Sequence, residues 1–201
     1  MTNVLVDKTL VNLSIVHILA YCQTEELFDR ISRQMDIYWL GNAAFRLKGK
    51  EASLVINPTK GVEADITLGK DGAGLVFNGP GEYESKGVVI TGIKRNGDTI
   101  YHITMDGVRV VYLGLSQKNL TDEESEEIDE TDILILGLGS VKAVAQLEPK
   151  IIIPIPNGED RTKFLKELGA EGGIPQAKLS MTKDKLPTEP MVAILSHAKS
   201  A

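Results

Sequence analysis

The chain has 201 residues, 42% apolar and 25% charged, enough for one domain with a full core and short for two. Its formal net charge of −6 is the wrong sign for a nucleic-acid-binding surface, which needs clustered Lys and Arg. A single cysteine, Cys22, excludes a disulfide within the chain and a cysteine-based metal site, and it fits a reducing, cytoplasmic setting.

The first element in chain order is a mostly apolar run, VNLSIVHILAYC, residues 11–22. It is too short to span a bilayer, so no membrane partner is expected. A secretion signal needs a basic start and small residues before its cut. Here one Lys is balanced by one Asp, Asn12 and His17 interrupt the run, and Tyr21 sits where a lipoprotein-like box would need a small side chain. Residues 1–34 therefore read as an N-terminal extension, helical or disordered, or as untranslated if synthesis starts at Met35. The organised pattern, and the expected domain, is 35–201.

From Met35 onward, short runs rich in Val and Ile alternate with Gly, Asn and Asp, the pattern of strands and turns. Strands are predicted near 36–40, 43–48, 52–56, 64–68, 74–78, 87–93, 99–105, 108–113, 132–137, 150–155, 178–182 and 191–196. Gly41-Asn42 and Met105-Asp106-Gly107 mark hairpin turns. Thr121-Asp122-Glu123-Glu124 is a capping box, predicting a helix from Asp122 to about Glu130. Ser140 caps a short helix through Leu147, and a third runs from Glu159 to Leu168 with Gly169 at its end. Ile133–Leu136 and Ile151–Ile155 are apolar at every position, so both their faces are buried. Two packed sheets with helices outside follow from this order. The acidic run TDEESEEIDETD lacks the alternating ligands and central Gly of a calcium loop and reads as a solvated helix face.

Several segments, in order, resemble one family. WLGNAAFRLKGKEASLVINP is similar to the opening of metallo-β-lactamase-fold hydrolases of the lactonase-like kind. ADITL, GPGEYESKGVVITGI, DGVRVVYLGL, TDILILGLGS, EPKIIIPIPNG and LPTEPMVAIL continue the resemblance over nearly all of 35–196. It implies an α+β fold, the αββα sandwich of the metallo-β-lactamase type, with reduced helices in the first half. It also implies a zinc centre built from an H-x-H-x-D-H loop, a later Asp and a later His.

Those ligands are not in the chain. Where the H-x-H-x-D-H loop would follow ADITL stands GKDGAG, 69–74, and the helix after it is missing. Leu115 stands for the later Asp and Pro156 for the later His; Asn42 and Asn57 replace the opening His and the Asp of I-D-P. A catalytic zinc site needs several protein ligands, mostly His, plus an open position. Beyond Met35 only His102 and His197 remain. His102 reads as a half-exposed cross-strand residue and His197 as solvated. No metal or other cofactor is expected, and Asn42 and Asn57 read as remnants holding turns.

Other chemistry is thin. There is no G-x-S-x-G elbow, and Cys22 lies in the N-terminal extension. GLGS, 137–140, reads as a strand-to-helix turn or a weak anion site. GPGEYE, 79–84, reads as a turn fixing the next hairpin, or as the rim of a residual pocket or subunit contact, with Glu82 and Tyr83 on it. The leading reading is a catalytically inactive member of this fold, acting by binding a small molecule or protein or by self-assembly; the resemblance makes a homo-oligomer an expectation. The rival is a hydrolase with a displaced site, using Asp65, Asp71, Glu82 or His102 with a hard metal such as manganese. A third is a remnant with no binding role. Residual-pocket candidates are Asn42, Asn57, Asp65, Asp71, Glu82, Tyr83, Leu115 and Pro156.

Overall fold

The computed structural model describes residues 33–58, 61–70, 72–95, 97–116, 118–138, 141–155 and 161–198. The strands in chain order are β1 (Met35–Gly41), β2 (Ala44–Lys48), β3 (Ser53–Ile56), β4 (Ile66–Leu68), β5 (Leu75–Phe77), β6 (Gly81–Ser85), β7 (Val88–Arg95), β8 (Asp98–Met105), β9 (Val108–Tyr112), β10 (Ile133–Leu136), β11 (Ile151–Pro154), β12 (Leu179–Met181) and β13 (Met191–Val192). Helices α1 (Asp122–Ile128), α2 (Val141–Leu147) and α3 (Arg161–Glu167) separate the later strands. The first sheet runs β12-β1-β2-β3-β4-β5 and the second β13-β11-β10-β9-β8-β7-β6. This is the α+β two-sheet architecture expected from the sequence.

Two apolar layers hold it together. Ile37, Phe45, Leu47, Leu54, Ile56, Ile66 and Leu68 of the first sheet meet Ile90, Ile103, Val110, Ile135 and Ile153 of the second. On the far side of the second sheet, Ile93, Ile100, Val111, Leu134, Leu136 and Ile152 pack against Ile128, Ala143, Leu147 and Phe164 of the three helices. β10 contributes to both layers by strand alternation, so every residue of ILIL is buried. Each such large side chain adds roughly 1.5–3 kcal/mol of transfer free energy.

The turns obey their chemistry. Asp106 and Gly107, φ +50° and +77°, make the two-residue hairpin between β8 and β9. Thr121 caps α1 as a complete capping box: its side chain accepts from the Glu124 N–H, and the Glu124 carboxylate accepts from the Thr121 N–H. The helix stops at Ile128, short of Glu130, because Asp129 turns to φ +58°. GPGEYE is more than a turn. Its Gly81–Glu84 part belongs to strand β6, which is paired in full with β7 through the Lys86-Gly87 hairpin (φ +50° and +71°). The expected strand 191–196 keeps only Met191–Val192, after which Leu195 makes an isolated bridge to Gln176.

The connection from β4 to β5 departs most from ordinary practice. Parallel neighbours normally need a crossover of a dozen or so residues, usually with a helix. Here residues 69–74 alone return the chain, and β5 lies parallel beside β4 with Leu68 opposite Phe77. The loop folds back over Thr67, whose hydroxyl donates to the Ala73 carbonyl at 2.7 Å and which is fully buried. A Cβ on Gly72 would lie 2.3 Å from Thr67, and one on Gly74 (φ +77°) 2.3 Å from the Ala64 carbonyl oxygen. Glycine is required at both places.

At the opposite end of β10, Asp132 is a buried structural node. Its carboxylate accepts from the Arg109 backbone N–H (2.9 Å), from Arg109 Nε and Nη2 (3.1 Å each) and from Lys183 Nζ (2.6 Å). Its own carbonyl accepts from the N–H groups of Lys150 and Ile151. Burial alone would raise its pKa, but Arg109 and Lys183 overcome that and hold it at about 2. With the unfolded value near 3.8, the ionised form stabilises the fold above about pH 4. We expect roughly 2 kcal/mol of stability to be lost as pH falls from about 4 to 2. Asp132→Ala should cost about 2–3 kcal/mol at pH 7 and flatten that acid limb, as read by urea denaturation across pH.

Candidate functional site

The inter-sheet core ends at two tyrosines. Tyr101 on β8 and Tyr112 on β9 are directly paired across the ladder and share the inner face of the second sheet. Beyond them the inner-facing positions turn polar, and the sandwich opens into a cleft of about 530 Å³. One wall is the end of the β7–β8 hairpin. Lys94 has the same parity as the buried Val88 and Ile90, and it pairs with Thr99. The other wall is made where β3, β4 and β5 end, by Asn57, Pro58, Gly69, Lys70 and Asn78.

The floor is organised by the Tyr112 hydroxyl. It donates to the Ala43 carbonyl at 2.8 Å and accepts from Asn57 Nδ2 at 2.8 Å. Asn57 reaches it because its backbone is left-handed (φ +47°) and its N–H donates to the Leu68 carbonyl, which seats the residue at the mouth of β3 and β4. Burial raises the Tyr112 and Tyr101 pKa values, so both hydroxyls stay protonated at any working pH. Tyr101 accepts a long bond from the Gly79 N–H at 3.4 Å. Arg95 lines the cleft too. Its guanidinium is turned away, donating to the carbonyls of Lys118 and Asn119 and facing Glu124 of α1.

The residues singled out from sequence scatter. Asn57 lines this cleft. Asn42 is an exposed turn residue (φ +47°) whose carbonyl accepts from Trp39 Nε1 at 2.9 Å. Asp65 precedes β4, where it accepts from Ser53 and Lys86, and those contacts hold its carboxyl far below the usual range. Glu82 is exposed on the edge strand β6. Tyr83 stacks on Phe77 at 4.4 Å and donates to the Pro80 carbonyl, so it packs the end of the core. Leu115 is exposed beside Gly137. Asp71, Pro156, Ser140 and Cys22 lie outside the described residues. His102 is on the outer face of the second sheet, where burial and Arg109 hold its imidazole below the ordinary range. His197 is exposed but not simply solvated: its Nε2 lies 3.0 Å from the Leu40 carbonyl and its ring meets Trp39 edge-on.

Sequence reading missed Lys70, Asn78, Lys94, Thr99, Tyr101 and Tyr112. One signal was available. Strand alternation through VVITGIK places Lys94 in line with inward-facing Val88 and Ile90, an unusual position for a lysine in a packed sandwich.

Zinc does not fit this mouth. Among the described residues, the side chains there supply amides, hydroxyls, two lysines and Arg95, with Asp98 as the lone carboxylate. Among the described residues no three His, Cys, Asp or Glu side chains come together to hold an ion. Asp98 Oδ1 accepts from the Thr99 N–H, and Oδ2 lies beside Gly114 and the Tyr112 ring. Replacing Tyr112 by Phe should remove both floor bonds and strand the Ala43 carbonyl. The expected cost is about 1–2 kcal/mol in chemical denaturation, with the fold retained.

Comparisons with known proteins fit the architecture. Residues 76–156 match the family model described as Beta-lactamase superfamily domain. No curated protein is similar enough to count as a match. Among solved structures, the chain is similar to a Thermotoga maritima protein whose name proposes a Zn-dependent hydrolase of the metallo-β-lactamase superfamily. The two are 24% identical, with 80% of this chain and 98% of that one covered, at a TM-score of 0.68. It is also similar to Igni18, a metallo hydrolase from Ignicoccus hospitalis (12% identity, 74% and 98% covered, TM-score 0.52). A third is YhfI, a metallo-β-lactamase fold protein from Bacillus subtilis (11% identity, 73% and 99% covered, TM-score 0.51). The chain thus has the metallo-β-lactamase fold, and its residues 76–156 match the Beta-lactamase superfamily domain.

Proposed function

We propose that this protein is a non-catalytic member of the metallo-β-lactamase fold that binds a small molecule in the cleft between its sheets. The observation that carries this reading is the chemistry of the cleft floor. Where hydrolases of this fold are expected to hold metal, Asn57 and Tyr112 hydrogen-bond to each other and to the chain. The cleft volume of about 530 Å³ lies in the range of small-ligand sites, roughly 300–1,000 Å³. Neutral amides and hydroxyls can orient a ligand, but they do not lower the pKa of a water as a metal centre does. The remnant reading gains nothing from such a mouth, since a fold without a role has no need of an open, polar one.

The rival reading, a hydrolase with a displaced site, needs three of Asp65, Asp71, Glu82 and His102 to converge. Asp65 is tied to Ser53 and Lys86, Glu82 is on the β6 edge, and His102 is on the outer face. Self-assembly and a protein partner belong to the same non-catalytic reading and are separable from ligand binding by sizing the protein in solution.

The test is elemental mass spectrometry on the full chain after dialysis against trace zinc and manganese, paired with lactone and phosphoester hydrolysis assays. The expected result is well under one metal per chain and no turnover above buffer. Stoichiometric metal with turnover that a chelator abolishes overturns the proposal.

A further inference from the structure

The cleft carries a charge opposite to that of the protein around it. The chain is acidic overall, at −6, yet the mouth presents Lys70 from the end of β4 and Lys94 from the inner face of β7. Both are exposed, and among the described residues neither forms an ion pair or a side-chain hydrogen bond. The one carboxylate of the lining, Asp98, is held at the hairpin tip by the Thr99 N–H and against Gly114. Its carboxylate nonetheless lines the cleft, close enough to the Tyr101 and Tyr112 hydroxyls to act on both. Lys70 and Lys94 therefore come to the cleft from different elements, and among the described residues of the lining the cationic side chains outnumber the one carboxylate, Asp98. A concave site walled by low-dielectric core focuses such a field.

We infer that the cleft takes a small molecule bearing a phosphate or carboxylate group, with the oxyanion seated between Lys70 and Lys94. This rests on the ligand-binding reading above and adds the charge of the ligand. Two lysines supply charge-assisted donors to an oxyanion. The remaining lining supplies what the neutral part of such a molecule needs. The Asn57 and Asn78 amides and the Thr99 hydroxyl lie around the mouth, and the Tyr101 and Tyr112 rings close its base. Arg95 is turned from the mouth: its Nη2 donates to the carbonyls of Lys118 and Asn119, and its Nη1 is buried.

The experiment uses the full chain and two probes, inorganic phosphate and acetate, titrated at constant ionic strength against chloride, with binding read by amide chemical-shift changes and by thermal shift. Wild type is expected to bind at least one of them, with shifts at Gly69, Lys70, Lys94 and Thr99. Saturation by phosphate alone assigns a phosphate-bearing ligand; saturation by acetate as well assigns the carboxylate class. Lys70→Gln and Lys94→Gln should each weaken binding about five-fold or more, and the double variant should abolish it, while Lys48→Gln on β2 leaves it unchanged. No binding of either probe, or binding that survives the double variant, overturns the inference. Neutral fragments that shift the same amides while both anions fail would overturn the charge assignment and leave the binding reading standing. Stoichiometric metal with turnover would remove the binding reading itself, whatever the anions do.

Discussion

The Tyr112 hydroxyl joins the two sheets at the point where their shared core stops. It sits on β9 of the second sheet, donates to the Ala43 carbonyl in the β1–β2 turn, and accepts from Asn57 at the end of β3. Its ring packs edge-on to Phe45, with centroids 6.3 Å apart, so the same side chain seals the apolar interior and faces the cleft. A buried hydroxyl is costly unless paired, and here donor and acceptor are both used. The geometry of the mouth follows from that pairing. It fixes how the β3 end meets β9, and so how wide the sandwich opens beyond.

The short β4–β5 connection shapes the rest of the site. A fold that builds a metal centre on the loop after β4 needs length there for ligands and for a helix. Residues 69–74 have neither, and their close return over Thr67 works only because glycines stand where a Cβ would strike the chain. The consequence, among the described residues, is a wall of backbone and one lysine. The Asn57–Tyr112 bond and the short crossover adjoin each other, with Gly69 at the start of the crossover against Asn57.

Rigidity is supplied away from the cleft. Asp132 gathers Arg109, Lys183 and the start of β11 at the far end of the second sheet, and the helices cover only that sheet's outer layer among the described residues. The cleft end is left with polar side chains, turns and two lysines. Fold and site are in this sense segregated: the stability lies in β9, β10 and β11, and the chemistry lies at the ends of β3, β4 and β7–β8.

Much of the fold was legible in the chain. The all-apolar runs at 133–136 and 151–155 could only be doubly buried strands, the capping box at Thr121 could only start a helix, and Asp106-Gly107 specified a hairpin; each is a local signal with one cheap solution. The loss of the family's metal ligands was likewise a matter of residue identity and needed no coordinates. β6 was not legible, because Gly81–Ser85 has weak strand character and becomes a strand only through its partner β7. The cleft was not legible either. Lys70, Lys94, Asn57 and Tyr112 lie far apart in sequence, and they meet only because two sheets pack face to face and their core ends at a particular register. Residue type and local pattern are short-range properties that a sequence states outright; which polar groups share a cavity is a property of long-range packing, and the tertiary structure alone decides it.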